Sequence, residues 1–311
     1  MENKATRNAV VDVRGVPLQV PIAKYFTRVD EFQAHKDDLL IATYPKAGTT
    51  WTQEIVDLIL NKGNEEKCRR APTHVRMPFL EMTTLDPAES GMAKLEKMAP
   101  PRVIKTHLPI QLVPRSFWEA GCKVIYMARN PKDNVVSYFH FDCMNLTQPE
   151  PGPWPEYLKK FMKGELGWGS WYDHVKGFWR EKQKNKNILY LFYEDMKEDP
   201  SREVLRIAEF LGKPLSKSVV DDIVHLTTFD SMRDNPMANY STIPDSVFDR
   251  KASEFMRKVY SYVFIGEVGD WQNYFSPQED AEFEEHYHRT MADTPIPFKF
   301  CLHKTTTKCS L

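Results

Sequence analysis

Four short apolar runs, each closing on polar residues, restrict the possible folds of this chain more than any other feature. LLIATYP (39–45) leads into KAGTT, and RVIKTHLP (102–109) carries Lys105 and His107 near its end. KVIYMARN (123–130) runs into Pro131, and NILYLFYED (187–195) closes on Tyr-Glu-Asp. Each is rich in Ile, Leu, Val and Tyr without clean alternation, the pattern of strands buried on both faces of a parallel sheet. Helical patterns lie between them. Trp51, Ile55, Leu58 and Ile59 share one face of WTQEIVDLIL, and EVLRIAEFLG repeats the 3.6-residue period. Strands alternating with helices predict an α/β fold, a central parallel sheet flanked by helices. Ligands in such folds bind beyond the carboxyl ends of the strands, and the polar residues of all four runs fall there.

Length and charge narrow the function. With 311 residues and neither repeat nor linker, a single domain over 1–311 is expected, with a core of about 10–300 and an extra tail at 301–311. The formal net charge of −1 supplies no field for nucleic acid or an anionic membrane, so neither is expected as a partner. No apolar run approaches the ~20 residues of a membrane helix, and MENKATRNAVVDVRG is too polar for a signal peptide. The five scattered cysteines lack Cys-x-x-Cys spacing, which argues against a disulfide framework and a zinc site and for reduced thiols in the cytoplasm. The segments 61–101 and 142–168, rich in Pro and charge, read as long surface excursions of the kind that cover sites.

Three motifs carry candidate chemistry. TYPKAGTTW (43–51) combines a strand, a Gly-containing turn and a helix start, so its unpaired N–H groups and the helix dipole suit an anion. Lys46 adds a charge there, and Thr49 and Thr50 add hydroxyls. The order is not G-x-x-x-x-G-K-[ST], and a capped strand–helix junction with a solvated Lys fits equally well. In RNPKDNVVSYFHF (129–141), Arg129 can grip a phosphate in a fork, with Ser137 two turns into the helix. The alternative is a surface pair of Arg129 with Asp133. In KTHLP (105–109), His107 can take a proton near neutral pH, and Lys105 points to the same side of the strand. An isolated histidine is more often structural, but this one ends a central strand between two anion cradles. Trp51 and Tyr193 offer rings at neighbouring strand ends, suited to a base or to core packing.

TYPKAGTTW, KTHLP, RNPKDNVVSYFHF, LYLFYEDMKEDP and FMRK…GEVGDW occur in the order seen in the cytosolic sulfotransferases, which the chain resembles over roughly 10–300. It is most similar to family 1, which sulfates phenols and amines, and KAGTTWTQEIVDLI, RAPTHVRMPFLEM and NPMANYSTIP resemble the C subfamily. The resemblance implies a P-loop-like strand–loop–helix and a co-substrate, 3′-phosphoadenosine 5′-phosphosulfate (PAPS), with no metal. It implies that Lys46, Ala47, Gly48, Thr49, Thr50 and Trp51 hold the phosphosulfate end. Arg129, Ser137, Arg257 and Lys258, next to Phe255 and Met256, would hold the 3′-phosphate; Trp51, Tyr193, Thr227, Thr228, Phe229 and Met232 would surround the adenine. His107 would be the base, Lys46 and Lys105 would stabilise developing charge, and Ser137 would draw Lys46 toward the 3′-phosphate. Phe79, Phe141, Lys105, Thr106 and His107 would meet the acceptor. Ala47 replaces a frequent Ser, an exchange that a backbone N–H contact survives.

Two stretches depart from the family. Removing VYSYVFI (259–265) gives FMRKGEVGDW, the form the family shows, so the chain resembles a member with seven extra residues between Lys258 and Gly266. Val259 cannot copy a Gly that approaches a phosphate closely. A nucleotide-binding isoform with weak or no catalysis is therefore one alternative, and a small-molecule P-loop kinase a remote one. The family's dimer stretch reads QNYFSPQEDA (272–281) here, all four defining residues changed, so a homodimer by that route is not expected.

Overall fold

The computed structural model describes residues 7–83, 89–256 and 268–302. Arg257, Lys258, the 259–265 insertion, Gly266 and tail residues 303–311 lie outside the described residues. The four anticipated strands are present: β3 (Leu39–Thr43), β4 (Val103–Thr106), β5 (Lys123–Ala128) and β6 (Ile188–Phe192). They form one parallel sheet in the order β4-β3-β5-β6. Leu40 lies opposite Ile104 and Val124, so β3 is hydrogen-bonded on both edges. All five residues of β3 are buried, as are the last five of β5, which is why neither run alternates. An antiparallel hairpin of β1 (Val10–Val13) and β2 (Val16–Gln19) precedes this sheet and was not anticipated; both strands have only four residues, too short for alternation to register.

Two apolar layers cover the sheet. Leu40, Ala42, Val124, Tyr126 and Phe178 belong to one; Ile41, Ile55, Ile125, Leu191 and Ile207 belong to the other. Successive strand residues thus feed opposite layers, as the pleat requires. The helix Thr49–Leu60 buries Gln53, Glu54 and Asp57 as well as Ile55 and Ile59, so it is enclosed on more than one face. Its buried acids meet Arg76, which ion-pairs with Glu54 and Asp57. Among the described residues no helix is long and apolar enough to cross a membrane.

The two expected surface excursions are not merely surface. The first contains the short helices Glu65–Cys68, Thr73–Arg76 and Gly91–Lys97, and it buries Met77, Leu80 and Leu95. Phe79 bridges Lys105 beside β4, which extends the sheet edge and draws this apolar stretch inward. The second holds the helix Trp154–Lys163, whose Tyr157, Leu158 and Phe161 enter the core. Cys68, Cys122 and Cys143 are free, but Cys301 is disulfide-bonded and corrects the expectation of reduced thiols. The spacing argument addressed a framework or a metal site and does not exclude a single bridge.

Candidate active site

The TYPKAGTTW loop leaves the end of β3 through two left-handed residues. Lys46 has φ 67° and Gly48 has φ 105°, the latter immediately before the helix Thr49–Leu60. A β-carbon at Gly48 would stand 2.9 Å from Tyr193 Cδ2, so both backbone and space require glycine. The turn is braced from within by Thr43 Oγ1 and Thr49 Oγ1, 2.7 Å apart. From outside, Asn134 Nδ2 donates to Pro45 O at 2.7 Å and Arg129 Nη1 donates to Lys46 O at 3.3 Å. The Lys46 ammonium lies 4.6 Å from the Phe141 ring centroid and 4.3 Å from that of Phe255. A cation between two rings is attracted by the quadrupole of each.

His107 follows β4 directly and is 7% exposed. Its Nδ1 lies 2.8 Å from Thr43 O, an atom that can only accept, so Nδ1 carries the proton and Nε2 the lone pair. Burial first, then the neighbouring Lys105 charge, pushes its pKa well below the usual histidine value. The imidazole is therefore neutral at pH 7. Phe79 and Trp168 enclose it edge-on, with ring centroids at 4.9 and 5.5 Å. The Lys105 ammonium sits 4.3 Å over the Phe79 ring.

Buried groups also fix the His107 backbone. Its N–H donates to Glu81 Oε1 at 2.7 Å, and Glu81 further accepts from Thr106 Oγ1 (2.9 Å) and Trp168 Nε1 (3.1 Å). Burial raises the Glu81 pKa to about 7 against the opposing effect of these bonds. The His107 carbonyl accepts from His174 Nε2 at 3.0 Å, whose Nδ1 takes the Tyr126 hydroxyl proton bond at 2.8 Å.

At the neighbouring strand ends, Trp51 and Tyr193 meet edge to face at 5.4 Å, and the Arg129 guanidinium lies 4.5 Å over Tyr193. Arg129 Nε and Trp51 Nε1 are buried without a hydrogen-bond partner among the described residues. Buried donors of this kind carry a desolvation cost that a bound acceptor removes, so this corner fits an anionic, ring-bearing ligand. Asp133 does not form the alternative surface pair with Arg129. It is 1% exposed and accepts from the backbone N–H groups of Gly269 (2.8 Å) and Trp271 (3.0 Å).

Residues 36–295 match the family model described as Sulfotransferase domain. The chain belongs to the sulfotransferase family. Sulfotransferase 1B1 from Canis lupus familiaris is 48% identical over 287 residues, covering 92% of this chain and 94% of that protein. Sulfotransferase 1C2 from Homo sapiens gives 48% over 287 residues, with the same shares of 92% and 94%. Among solved structures, mouse sulfotransferase SULT7A1 complexed with PAP has a TM-score of 0.74 at 30% identity, covering 92% of this chain and 95% of that one. The relatives place this sulfotransferase in family 1, near the C subfamily, with PAPS as its co-substrate.

The anticipated residues of this sulfotransferase gather in three groups. Lys46, Phe141 and Phe255 meet at one point; Trp51, Arg129 and Tyr193 at a second; Phe79, Lys105 and His107 at a third. Ala47 is fully buried in the loop, Thr50 is half-buried on it, and Ser137 is half-buried on the helix Pro131–Met144. Thr227 and Thr228 use their hydroxyls locally, on Ile223 O and His225 O. Phe229 opens the helix Phe229–Arg233, in which Met232 is buried. Phe255 packs with Tyr240 (4.3 Å) and Phe248 (6.1 Å), which puts it on the wall over Lys46, and Met256 is half-buried beside it in the chain. Sequence reasoning missed Glu81, Trp168 and His174. An acid inside the apolar run MPFLEM is the one signal that could have marked Glu81.

Proposed function

We propose that this chain transfers the sulfuryl group of PAPS to the hydroxyl or amine of a small, phenolic acceptor, with His107 as general base. The observation that carries this reading is the contact of His107 Nδ1 with Thr43 O, which leaves Nε2 as the basic nitrogen of a ring packed against Phe79 and Trp168. A lone pair of the acceptor oxygen attacks sulfur as the acceptor proton passes to Nε2. The bond from sulfur to the bridging phosphate oxygen breaks, and that oxygen leaves with the electron pair. Lys46 and Lys105 supply positive charge where the sulfuryl and leaving oxygens become more negative. The TYPKAGTTW loop contributes N–H groups at a helix start, and Arg129 with Trp51 and Tyr193 forms the nucleotide corner. Phe79 and Phe141 give apolar walls on which an aromatic acceptor can lie. Ser137, Arg257 and Lys258 are assigned to the 3′-phosphate, and Thr227, Thr228, Phe229 and Met232 to the adenine, on the family resemblance alone.

A positioned base of this kind is worth roughly 10²–10⁴-fold in rate. His107→Ala is expected to lose turnover by that factor while its affinity for adenosine 3′,5′-bisphosphate, measured by calorimetric titration, stays near that of the unsubstituted chain. Unchanged turnover would remove His107 from the mechanism.

A further inference from the structure

Arg7 lies far from the cleft in sequence, yet its guanidinium reaches the segment that leaves the helix Pro131–Met144. Nη1 donates to Asp142 O at 2.8 Å and Pro149 O at 3.1 Å, with Asn145 O and Gln148 O each at 3.4 Å. Nη2 donates to Cys143 O at 3.3 Å, and Nε faces Glu150 Oε2 at 2.6 Å. One Nη1 has two protons, so the two shorter bonds dominate and the longer ones are shared. Next in the chain, Asn8 Nδ2 donates to Thr147 O at 2.9 Å. The last carbonyls of a helix have no intrahelical donor, and a cation there satisfies them and complements the dipole. The N-terminal segment is thus strapped across the 142–150 loop.

That loop supports one wall of the cleft. Leu146 N donates to Val247 O at 2.9 Å, and Asp249 N donates to Met144 O at 2.8 Å. Between these bonds, Asn145 bridges Phe248 in antiparallel fashion. Phe248 packs on Phe141 (5.9 Å) and Phe255 (6.1 Å), the two rings that flank the Lys46 ammonium. A continuous path of contacts therefore runs from Arg7 through the loop to the aromatic wall.

We propose that Arg7 is a positioning residue for acceptor recognition, fixing the 142–150 loop and through it the Phe141–Phe248–Phe255 wall. The inference rests on the reading of the His107–Lys46 cleft given above. A lysine cannot fully replace Arg7, because its single nitrogen, on a shorter side chain, cannot make both the Nη1 bonds to Asp142 O and Pro149 O and the separate Nη2 bond to Cys143 O. Glu150 matters little, since its side chain is 72% exposed and such pairs contribute little.

The test is steady-state kinetics of the full chain and of Arg7→Ala, Arg7→Lys and Glu150→Gln, with PAPS and 2-naphthol. Both Arg7 variants are expected to raise the KM for 2-naphthol about tenfold, with the KM for PAPS within about twofold and kcat nearly unchanged, the signature of lost acceptor binding. Glu150→Gln should match the unsubstituted chain. A merely structural role would lower kcat and disturb both KM values together, and that result, or an unchanged KM for 2-naphthol, overturns the inference. If Arg7→Ala yields no folded protein by thermal melting, Arg7→Lys decides alone, and native kinetics in that variant contradict the clamp. Absence of PAPS-dependent turnover in the unsubstituted chain would instead overturn the cleft reading, and the inference with it.

Discussion

A histidine can act as a base only if the right nitrogen is left free and the ring stays neutral. Thr43 O settles the first at His107, and burial beside Lys105 settles the second. The depressed pKa keeps the ring in its basic form throughout the neutral range, so His107 itself sets no acid limb there. Glu81 does titrate in that range, at about 7, and its ionised form accepts the His107 N–H, the Thr106 hydroxyl and the Trp168 N–H. As pH falls through 7 the carboxylate gains a proton and loses acceptor capacity, which loosens the backbone under His107. The expected pH–kcat profile therefore has an acid limb near 7. Glu81→Gln has one carbonyl oxygen for three donors, and it should lower kcat by about tenfold while flattening that limb. A limb that survives unchanged in Glu81→Gln would assign it to another group.

Among the elements, the start of the helix Pro131–Met144 ties the Arg129–Tyr193 corner, proposed above to hold the nucleotide, to the Gly269–Trp271 segment. Asn130 caps the helix, and Asp133 in its first turn accepts from Gly269 N and Trp271 N. Lys132 reinforces the joint: it ion-pairs with Asp280 and Glu284 and lies 4.1 Å over the Trp271 ring. Arg129 is thereby held in fixed relation to the Gly-Asp-Trp segment that follows Arg257 and Lys258 in the sequence. An asparagine at 133 turns one acceptor atom into a donor facing an N–H. Asp133→Asn is expected to weaken adenosine 3′,5′-bisphosphate binding about tenfold in a calorimetric titration, with less effect on acceptor KM; undiminished nucleotide affinity would contradict the joint. The sequence showed Asp133 only as a neighbour of Arg129, because its partners lie 136 and 138 residues away.

For the whole molecule, the buried parallel strands were legible because runs such as LLIAT and KVIYMA have no polar face to display. Their order β4-β3-β5-β6 was not, since strand pairing depends on crossovers that periodicity does not encode. The loop, Arg129 and His107 could be read locally, each sitting at a strand end. Glu81, Trp168 and the Arg7 strap could not, because each acts on residues distant in sequence. Seven residues, VYSYVFI, separate Lys258 from Gly266. Transfer of labelled sulfuryl from PAPS to 2-naphthol, followed in a chelator, tests the central claim most directly when the full chain is compared with a version lacking 259–265. The full chain should form 2-naphthyl sulfate at a rate comparable to the shortened one and should ignore ATP; product from the shortened chain alone would contradict it and leave the full chain a nucleotide binder.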